Sequence, residues 1–332
     1  MSKHSFLFFA IVGFILMICM NTSCHKDLIS TSGDSPLRFS VDTLRFDTVF
    51  TTLGSATRSI KIYNDQEEAI IIDDIRMLKQ QSSFFRLNVD GITDIDNNTF
   101  RIEGMDSIYV FAEVTIDPDQ PLSVSPFFIE DQVIVSSNQK EYTFWLEAWG
   151  QNANYLPNKT SKSQVNYISC DLSTWEWNDP KPYVIYGALL IDSCEVVIPA
   201  GTQIYVHGGV AINELGIYND GLLFILSEAS LKIMGTADQP VGIQTDRLEH
   251  EFDALPGQWS GILIGPGSTG NEFNHAQIKN SIVGVSVDST AALQMESCII
   301  SYTSGDGLRA THASVFAENC LFYQNGTYGV NL

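Results

Sequence analysis

The chain has 332 residues, enough for two structural units with separate cores. Charged residues make up only 17% of it and aromatics 11%, the profile of a turn-rich β protein. Its 39 acidic and 18 basic residues give a formal charge of −21, and with no basic run after the start that balance argues against a nucleic-acid partner, which needs a clustered cationic footprint.

Lys3 and His4 precede an apolar run from Phe6 to Met20. The run is too short for a bilayer-spanning helix of about 20 residues and has the length of a signal-peptide core. It ends in Asn21-Thr22-Ser23-Cys24. A small residue directly before a cysteine resembles a lipobox, although Asn21 stands where leucine is commoner. Residues 1–23 are therefore expected to be a lipoprotein signal peptide, with Cys24 becoming the acylated, membrane-anchored first residue. Residues 24–36 are polar and read as a flexible tether. Lys26-Asp27 resembles part of the surface-export signal of some Gram-negative lipoproteins, so the periplasmic and outer faces of the outer membrane both stay open.

Over residues 37–152, short runs alternate apolar and polar residues, as in Ser59-Ile60-Lys61-Ile62-Tyr63 and Tyr109-Val110-Phe111-Ala112-Glu113-Val114. Period-two alternation places one face in a core and the other in water. Strands are predicted at 44–50, 57–63, 69–75, 84–89, 108–114, 131–136 and 142–148, which makes an antiparallel sandwich. The order of Phe46-Asp47-Thr48-Val49, Gly54, Asn64, Phe84-Phe85-Arg86-Leu87, Val135-Ser136-Ser137-Asn138 and Gly150 resembles the ASH/Hydin-like immunoglobulin-type domains. Such a likeness implies a spacer or binding domain.

Residues 153–185 read as a connector with a first coil, and 186–332 as repeats. In the last 60 or so residues Ala276, Cys298 and Cys320 fall in one column, while Gly284, Gly307 and Gly329 fall in another. The repeating segments begin near Glu272, Leu293 and Val315. A period near 22 holds three short strands, one coil of a single-stranded parallel β-solenoid whose coils stack at about 4.8 Å. Identical positions then lie over one another. The cysteine column is read as small inward sites holding buried thiols, with a Cys298–Cys320 disulfide as the alternative; the same two readings apply to Cys170 and Cys194. Together these segments resemble Gram-negative lipoproteins of the right-handed parallel β-helix repeat family, with the pectin-lyase-like fold. The likeness spans 170–332 and implies right-handed coiling. Gly329-Val330-Asn331-Leu332 reads as the start of another strand, so the expectation is that either further coils follow, as in members of that family, or something pairs with this end.

Because the pectin-lyase-like fold also hosts lyases and hydrolases, a catalytic site must be sought residue by residue. In the columns Lys279–Ser301–Tyr323, Val283–Asp306–Tyr328 and Ser286–Arg309–Asn331 no acidic ladder appears, and His207, His275 and His312 have no metal-ligand spacing. No catalytic residue, metal or cofactor is expected. Two candidate ligand sites remain. One is the polar insertion carrying Asp246, Arg247, Glu249 and His250, with a solvated loop folded over a coil edge as the plainer reading. The other is Trp175 with Trp177, two apart on one strand face, either a sugar-stacking strip or a cap packed on the first coil. The resulting expectation is an all-β, lipid-anchored cell-envelope protein acting as a non-catalytic interaction module towards a polysaccharide or another envelope protein. The alternative is a polysaccharide lyase or glycoside hydrolase.

Overall fold

The computed structural model describes residues 29–30, 36–50, 55, 57–96, 98–116, 127–157, 164–213, 216–219 and 221–332; Cys24 lies outside them. Among the described residues helix is confined to single 3-10 turns at Gln80–Ser82 and His250–Phe252, and none is long and apolar enough to cross a membrane. Two compact units are present, one of Met1–Leu44, Arg58–Ala112 and Asp131–Leu146, the other of Arg45–Thr57, Glu113–Glu130 and Glu147–Leu332.

The antiparallel strands are β1 (Arg38–Phe39), β2 (Thr43–Phe50), β3 (Arg58–Tyr63), β4 (Ile70–Ile72), β5 (Asp74–Met77), β6 (Phe85–Val89), β7 (Phe100–Ile102), β8 (Ser107–Val114), β9 (Phe127–Ser137) and β10 (Lys140–Gln151). They form two four-stranded sheets, β1-β3-β8-β6 and β2-β10-β9-β5, plus the pair β4-β7. Alternation does what the sequence implies: Ile60 and Ile62 are buried in β3, and Ile108, Val110, Ala112 and Val114 in β8. The single strand expected over 69–75 is two strands. Asp73 breaks it, donating its N–H to Ser136 as the chain passes from the β7 pairing to the β9 pairing. Strand β7 escaped the sequence reading because three residues are too few to show a period.

From Asn154 onward the strands are parallel. They are β11 (Asn154–Leu156), β12 (Val165–Ser169), β13 (Thr174–Glu176), β14 (Tyr183–Tyr186), β15 (Ala188–Asp192), β16 (Glu195–Pro199), β17 (Gln203–His207), the hairpin β18 (Val210–Asn213) and β19 (Gly216–Asn219), β20 (Leu222–Ile225), β21 (Ser230–Met234), β22 (Val241–Thr245), β23 (Gly261–Ile264), β24 (Asn271–Asn274), β25 (Ala276–Lys279), β26 (Val285–Val287), β27 (Ala292–Glu296), β28 (Ile299–Ser301), β29 (Leu308–Ala310), β30 (Ser314–Glu318), β31 (Leu321–Tyr323) and β32 (Val330–Asn331). Apart from the hairpin they fall into three sheets. The first is β11-β14-β17-β22-β25-β28-β31, the second β12-β15-β20-β23-β26-β29-β32, and the third β13-β16-β21-β24-β27-β30. The chain visits the sheets in rotation, so each round of three strands pairs with the round before. Inward residues of all three sheets, among them Ile204, Ile243, Ile278 and Ile300 of the first, Ile225, Ile264 and Val287 of the second, and Ile233, Phe273 and Met295 of the third, make one continuous core.

Register explains the sequence columns. Val285 lies beside Leu308 and Leu308 beside Val330, which stacks Gly284, Gly307 and Gly329. A Cβ on Gly284 would come within 2.4 Å of the Gly307 carbonyl oxygen, and one on Gly307 within 2.6 Å of that of Gly329. The glycines are there because the rounds are too close at this corner for any side chain. Other corners use left-handed residues at fixed places: His275, Ser297 and Asn319 (φ 46°, 54° and 54°), then Asn280, Tyr302 and Gln324 (φ 68°, 52° and 53°). Each costs about 1 kcal/mol outside glycine, so their recurrence every 22 residues is imposed by the stack.

The repeat starts agree with the register, in which Asn271, Leu293 and Val315 are vertical neighbours. Two expectations need correction. Cys170 and Cys194 form a disulfide, with Cα atoms 5.0 Å apart; they sit at corner positions of adjacent rounds, Cys170 after the Ser169–Asp192 pair and Cys194 before the Thr174–Glu195 pair. Cys298 and Cys320 are free thiols, and burial pushes the Cys298 thiol up to about 12. Finally, an acidic column does exist. Asn274, Glu296 and Glu318 are vertical neighbours on the outer face of the third sheet, a face whose columns the sequence reading did not follow.

Replacing Gly284 by alanine forces the corner open. Overpacking of this kind costs about 1–3 kcal/mol, and the urea midpoint of the Gly284→Ala variant is expected to fall accordingly; an unchanged midpoint would mean the corner has room.

Candidate functional site

The insertion between β22 and β23 is a strap tied down across the edge of the first sheet. Asn280 is fully buried at the corner after β25, and its Nδ2 donates to the carbonyls of Phe252, Asp253 and Leu255 at 3.3, 3.0 and 3.0 Å. Gln258 Nε2 donates to Phe252 and Leu255 at 3.1 and 2.9 Å, while Thr245 Oγ1 donates to Gln258 Oε1 at 3.3 Å. At its end the buried Trp259 donates Nε1–H to the Lys279 carbonyl at 2.9 Å. The strap thus lies over a coil edge, with its irregular backbone anchored by side-chain amides.

Three of the four predicted residues of the strap have a charged or ring partner. Asp246 accepts from His207 Nδ1 at 2.5 Å, and its side chain is only 9% exposed. That contact assigns the imidazole proton to Nδ1 when the ring is neutral and leaves Nε2 buried without a partner. Arg247 pairs with Glu249 at 3.1 Å and lies 3.8 Å over the Phe252 ring. Asp253 pairs with Lys279 at 2.5 Å, and that ammonium holds its carboxyl below the usual carboxylate range. Beneath the strap is a cavity of about 230 Å³, lined in part by Gln244, Thr245, Arg247, His250, Asp253 and Asn280. The Oδ1 of Asn280 is buried there without a donor. Of the four predicted residues, Arg247 and His250 line the cavity, whereas Asp246 and Glu249 are committed to neighbouring side chains. Sequence reasoning missed His207, Lys279 and Asn280. The signal for His207 was its register, since Val206 lies beside Thr245 and the next pair is His207 with Asp246.

Trp175 and Trp177 do face one side, but that side is the interior. Trp177 is 1% exposed, 5.8 Å from Trp175 and stacked on Tyr183 at 5.0 Å; Trp175 is half-buried against the same core. Trp175 lies beside Val196 of the next round. The pair therefore caps the first round of the core and is not a sugar-stacking strip. Tyr186 turns elsewhere, against His207 at 4.5 Å. Among the described residues no group of three or more His, Cys, Asp or Glu side chains could hold a metal ion.

No protein-family model and no curated protein matches the sequence. Solved structures with partial likeness include the periplasmic chaperone SfaE, with 9% identity over 35% of this chain and 57% of that one and a TM-score of 0.24. Another is the ASH/PapD-like domain 7 of human CEP192, with 12% identity over 35% and 84% and a TM-score of 0.21. A third is a family 123 glycoside hydrolase from Clostridium perfringens, with 10% identity over 54% and 39% and a TM-score of 0.24. The chain thus spans 57% of the chaperone's length and 39% of the hydrolase's. At these scores the likenesses carry no functional argument.

Truncating Asn280 to alanine removes three donated hydrogen bonds and leaves the Asp253 carbonyl without its side-chain donor, while Gln258 still serves Phe252 and Leu255, a loss of about 1–3 kcal/mol for buried groups. Faster amide exchange and proteolytic nicking at 250–256 are expected in Asn280→Ala, with the core rounds still protected. Acid should act in the same place. A carboxylate with a lowered folded-state pKa stabilises above its unfolded value of about 3.9 and loses that contribution as pH falls through the folded value. Strap protection is therefore expected to decline below about pH 4, and not to do so in Asp253→Asn.

Proposed function

We propose that the chain is a cell-envelope lipoprotein, acylated on Cys24 and held to the outer membrane. In this reading the parallel sheets are a right-handed β-helix, and the antiparallel sheets are an immunoglobulin-type spacer. The protein acts as a non-catalytic interaction module towards glycans, with the strap as one contact surface. Right-handedness follows from the strong bias of parallel crossovers. The Cys170–Cys194 disulfide favours an exported protein, since such bonds persist in oxidising compartments.

One observation carries the non-catalytic reading. Asp246, Glu249 and Asp253 are each engaged by a nitrogen donor, of His207, Arg247 and Lys279 respectively, within 3.1 Å. Glycoside hydrolysis needs one carboxyl kept protonated as acid and a second as base or nucleophile. These donors occupy oxygens of all three carboxyl groups, and Lys279 holds Asp253 below the usual carboxylate range, which suits a rigid surface better than proton transfer. The outward Glu296–Glu318 column is the feature that favours the enzyme alternative.

Two measurements test the proposal. Metabolic labelling with palmitate should mark the wild-type chain and not Cys24→Ser; equal labelling would remove the anchor. Purified chain, given neutral polysaccharides and polyuronates, should retain one of them without releasing reducing ends or unsaturated uronate. Steady product release that is lost in Glu296→Gln would establish the enzyme reading instead.

A further inference from the structure

The corner at which the chain leaves the third sheet for the first recurs in every round, and the earliest three of these corners surround a second cavity. It measures about 350 Å³ and is lined by Trp177, Asn178, Asp179, Pro199, Gln203 and Gln239, among others. We propose that this cavity binds the end of a neutral oligosaccharide, an assignment that rests on the glycan-binding reading above and gives it a ligand class and a place apart from the strap.

The cavity is built rigidly. Pro180, Pro182 and Pro199 form part of its wall, each with a fixed backbone φ. Gly201 turns the second corner at φ +79°, donating its N–H to the Gln239 carbonyl at 3.0 Å. Thr202 Oγ1 donates to the Pro199 carbonyl at 2.8 Å, and the Tyr183 hydroxyl accepts the Asp179 N–H at 3.0 Å. A preformed wall lowers the ordering cost of binding.

Its charges cancel. Asp179 Oδ1 accepts the Lys181 N–H at 2.9 Å, and Lys181 Nζ lies 3.5 Å from Asp179 Oδ2. Burial opposes ionisation of this carboxyl, yet the Lys181 N–H, the Asn154 amide and the Lys181 charge outweigh it and hold it below the usual range. In a chain of net charge −21 a locally neutral cavity repels a polyuronate less than the surrounding surface does but offers it no cation to spare. What it offers instead are amides. The side chains of Asn178 and Gln239 have no hydrogen-bond partner among the described residues, and Gln203 reaches only the Gly201 carbonyl, at 3.3 Å. Each amide presents one acceptor oxygen and two N–H donors side by side, and adjacent sugar hydroxyls present donors and acceptors at a matching spacing. The volume lies at the small end of ligand pockets, roughly 300–1,000 Å³, which admits about one or two sugar rings. Beneath them the Trp177 indole N–H is buried without an acceptor, a nearby reporter of occupancy.

The test uses the full mature chain with cellohexaose, laminarihexaose, mannohexaose and maltohexaose, and hexagalacturonate as the charged comparator. Binding is read by calorimetry and by the Trp177 indole N–H resonance. At least one neutral hexaose should bind and shift that resonance. The Asn178→Ala/Gln239→Ala variant changes two exposed side chains and should keep the melting temperature while weakening binding at least about tenfold and removing the Trp177 shift; Arg247→Ala, at the strap, should keep that shift. Loss in Arg247→Ala with the corner variant unaffected would overturn the corner site and leave glycan binding standing at the strap. Tighter binding of hexagalacturonate at the corner would overturn the neutral ligand class. Binding of no saccharide at all would overturn both this site and the glycan reading it rests on.

Discussion

The parallel half of the molecule depends on vertical register: each residue sits about 4.8 Å from its equivalent in the next round and must be compatible with it. Most of the particular residue choices follow. Glycines recur at 284, 307 and 329, and a side chain at 284 or 307 would strike the carbonyl of the next glycine in the column. Left-handed residues recur at 275, 297 and 319 because every round turns at the same point. Small side chains recur at 276, 298 and 320 because the column narrows there, and the Cys298 thiol is accommodated by donating towards the Phe273 carbonyl at 3.2 Å. Register also sets up a conflict, since Glu296 directly above Glu318 places like charges in the least favourable relation a sheet allows. Exposure to water is what makes that tolerable.

What could be read from the chain alone divides along the same line. Columns repeating at 22 residues without insertion were legible down to the pairing of Lys279, Ser301 and Tyr323. Where an insertion intervenes, the period is lost, although the contact is not: His207 and Asp246 are 39 residues apart yet adjacent in the first sheet. In the antiparallel half, alternation located the long strands, but a single strand was drawn across Asp73, where the buried positions step by three from Ile72 to Ile75 as the chain divides between two pairings. The disulfide at Cys170 and Cys194 was invisible for a different reason. Both cysteine pairs lie at corners about one round apart; Cys298 and Cys320 are direct vertical neighbours and stay free, whereas Cys170 follows the Ser169–Asp192 pair and Cys194 precedes the Thr174–Glu195 pair, an offset that spacing does not reveal.

The strap shows how irregular backbone is kept on such a stack. A loop across a sheet edge carries carbonyls and N–H groups that the regular ladders do not satisfy. Asn280 and Gln258 supply amide donors to Phe252, Asp253 and Leu255, and the backbone of Gly257 and Gln258 donates to Ser281 and Asn280. Asn280 does this from a left-handed corner position, where asparagine is the best tolerated non-glycine residue. One residue thus satisfies the turn geometry of its own round and the hydrogen-bonding needs of a loop from the round before.

Ionic pairing within the strap bears on what kind of recognition the surface can support. Two of the three pairs have a partner more than a third exposed, Arg247 at 38% and Asp253 at 64%, so they contribute little to stability. Their effect is to fix geometry and to offset part of the strap's charge, Arg247 and Lys279 standing against Asp246, Glu249, Glu251 and Asp253. On an exterior of strong negative charge, a long-range field would draw cations indiscriminately and repel polyanions. The corner at Asp179 and Lys181, whose charges cancel at short range, escapes that field within about one Debye length, 8 Å at physiological ionic strength. Selection there must come from hydrogen-bond pattern and shape. Those are the properties by which one neutral, hydroxyl-rich ligand differs from another, and they are the properties that a stack of rigid corners, each supplying an amide at a fixed height, varies most readily.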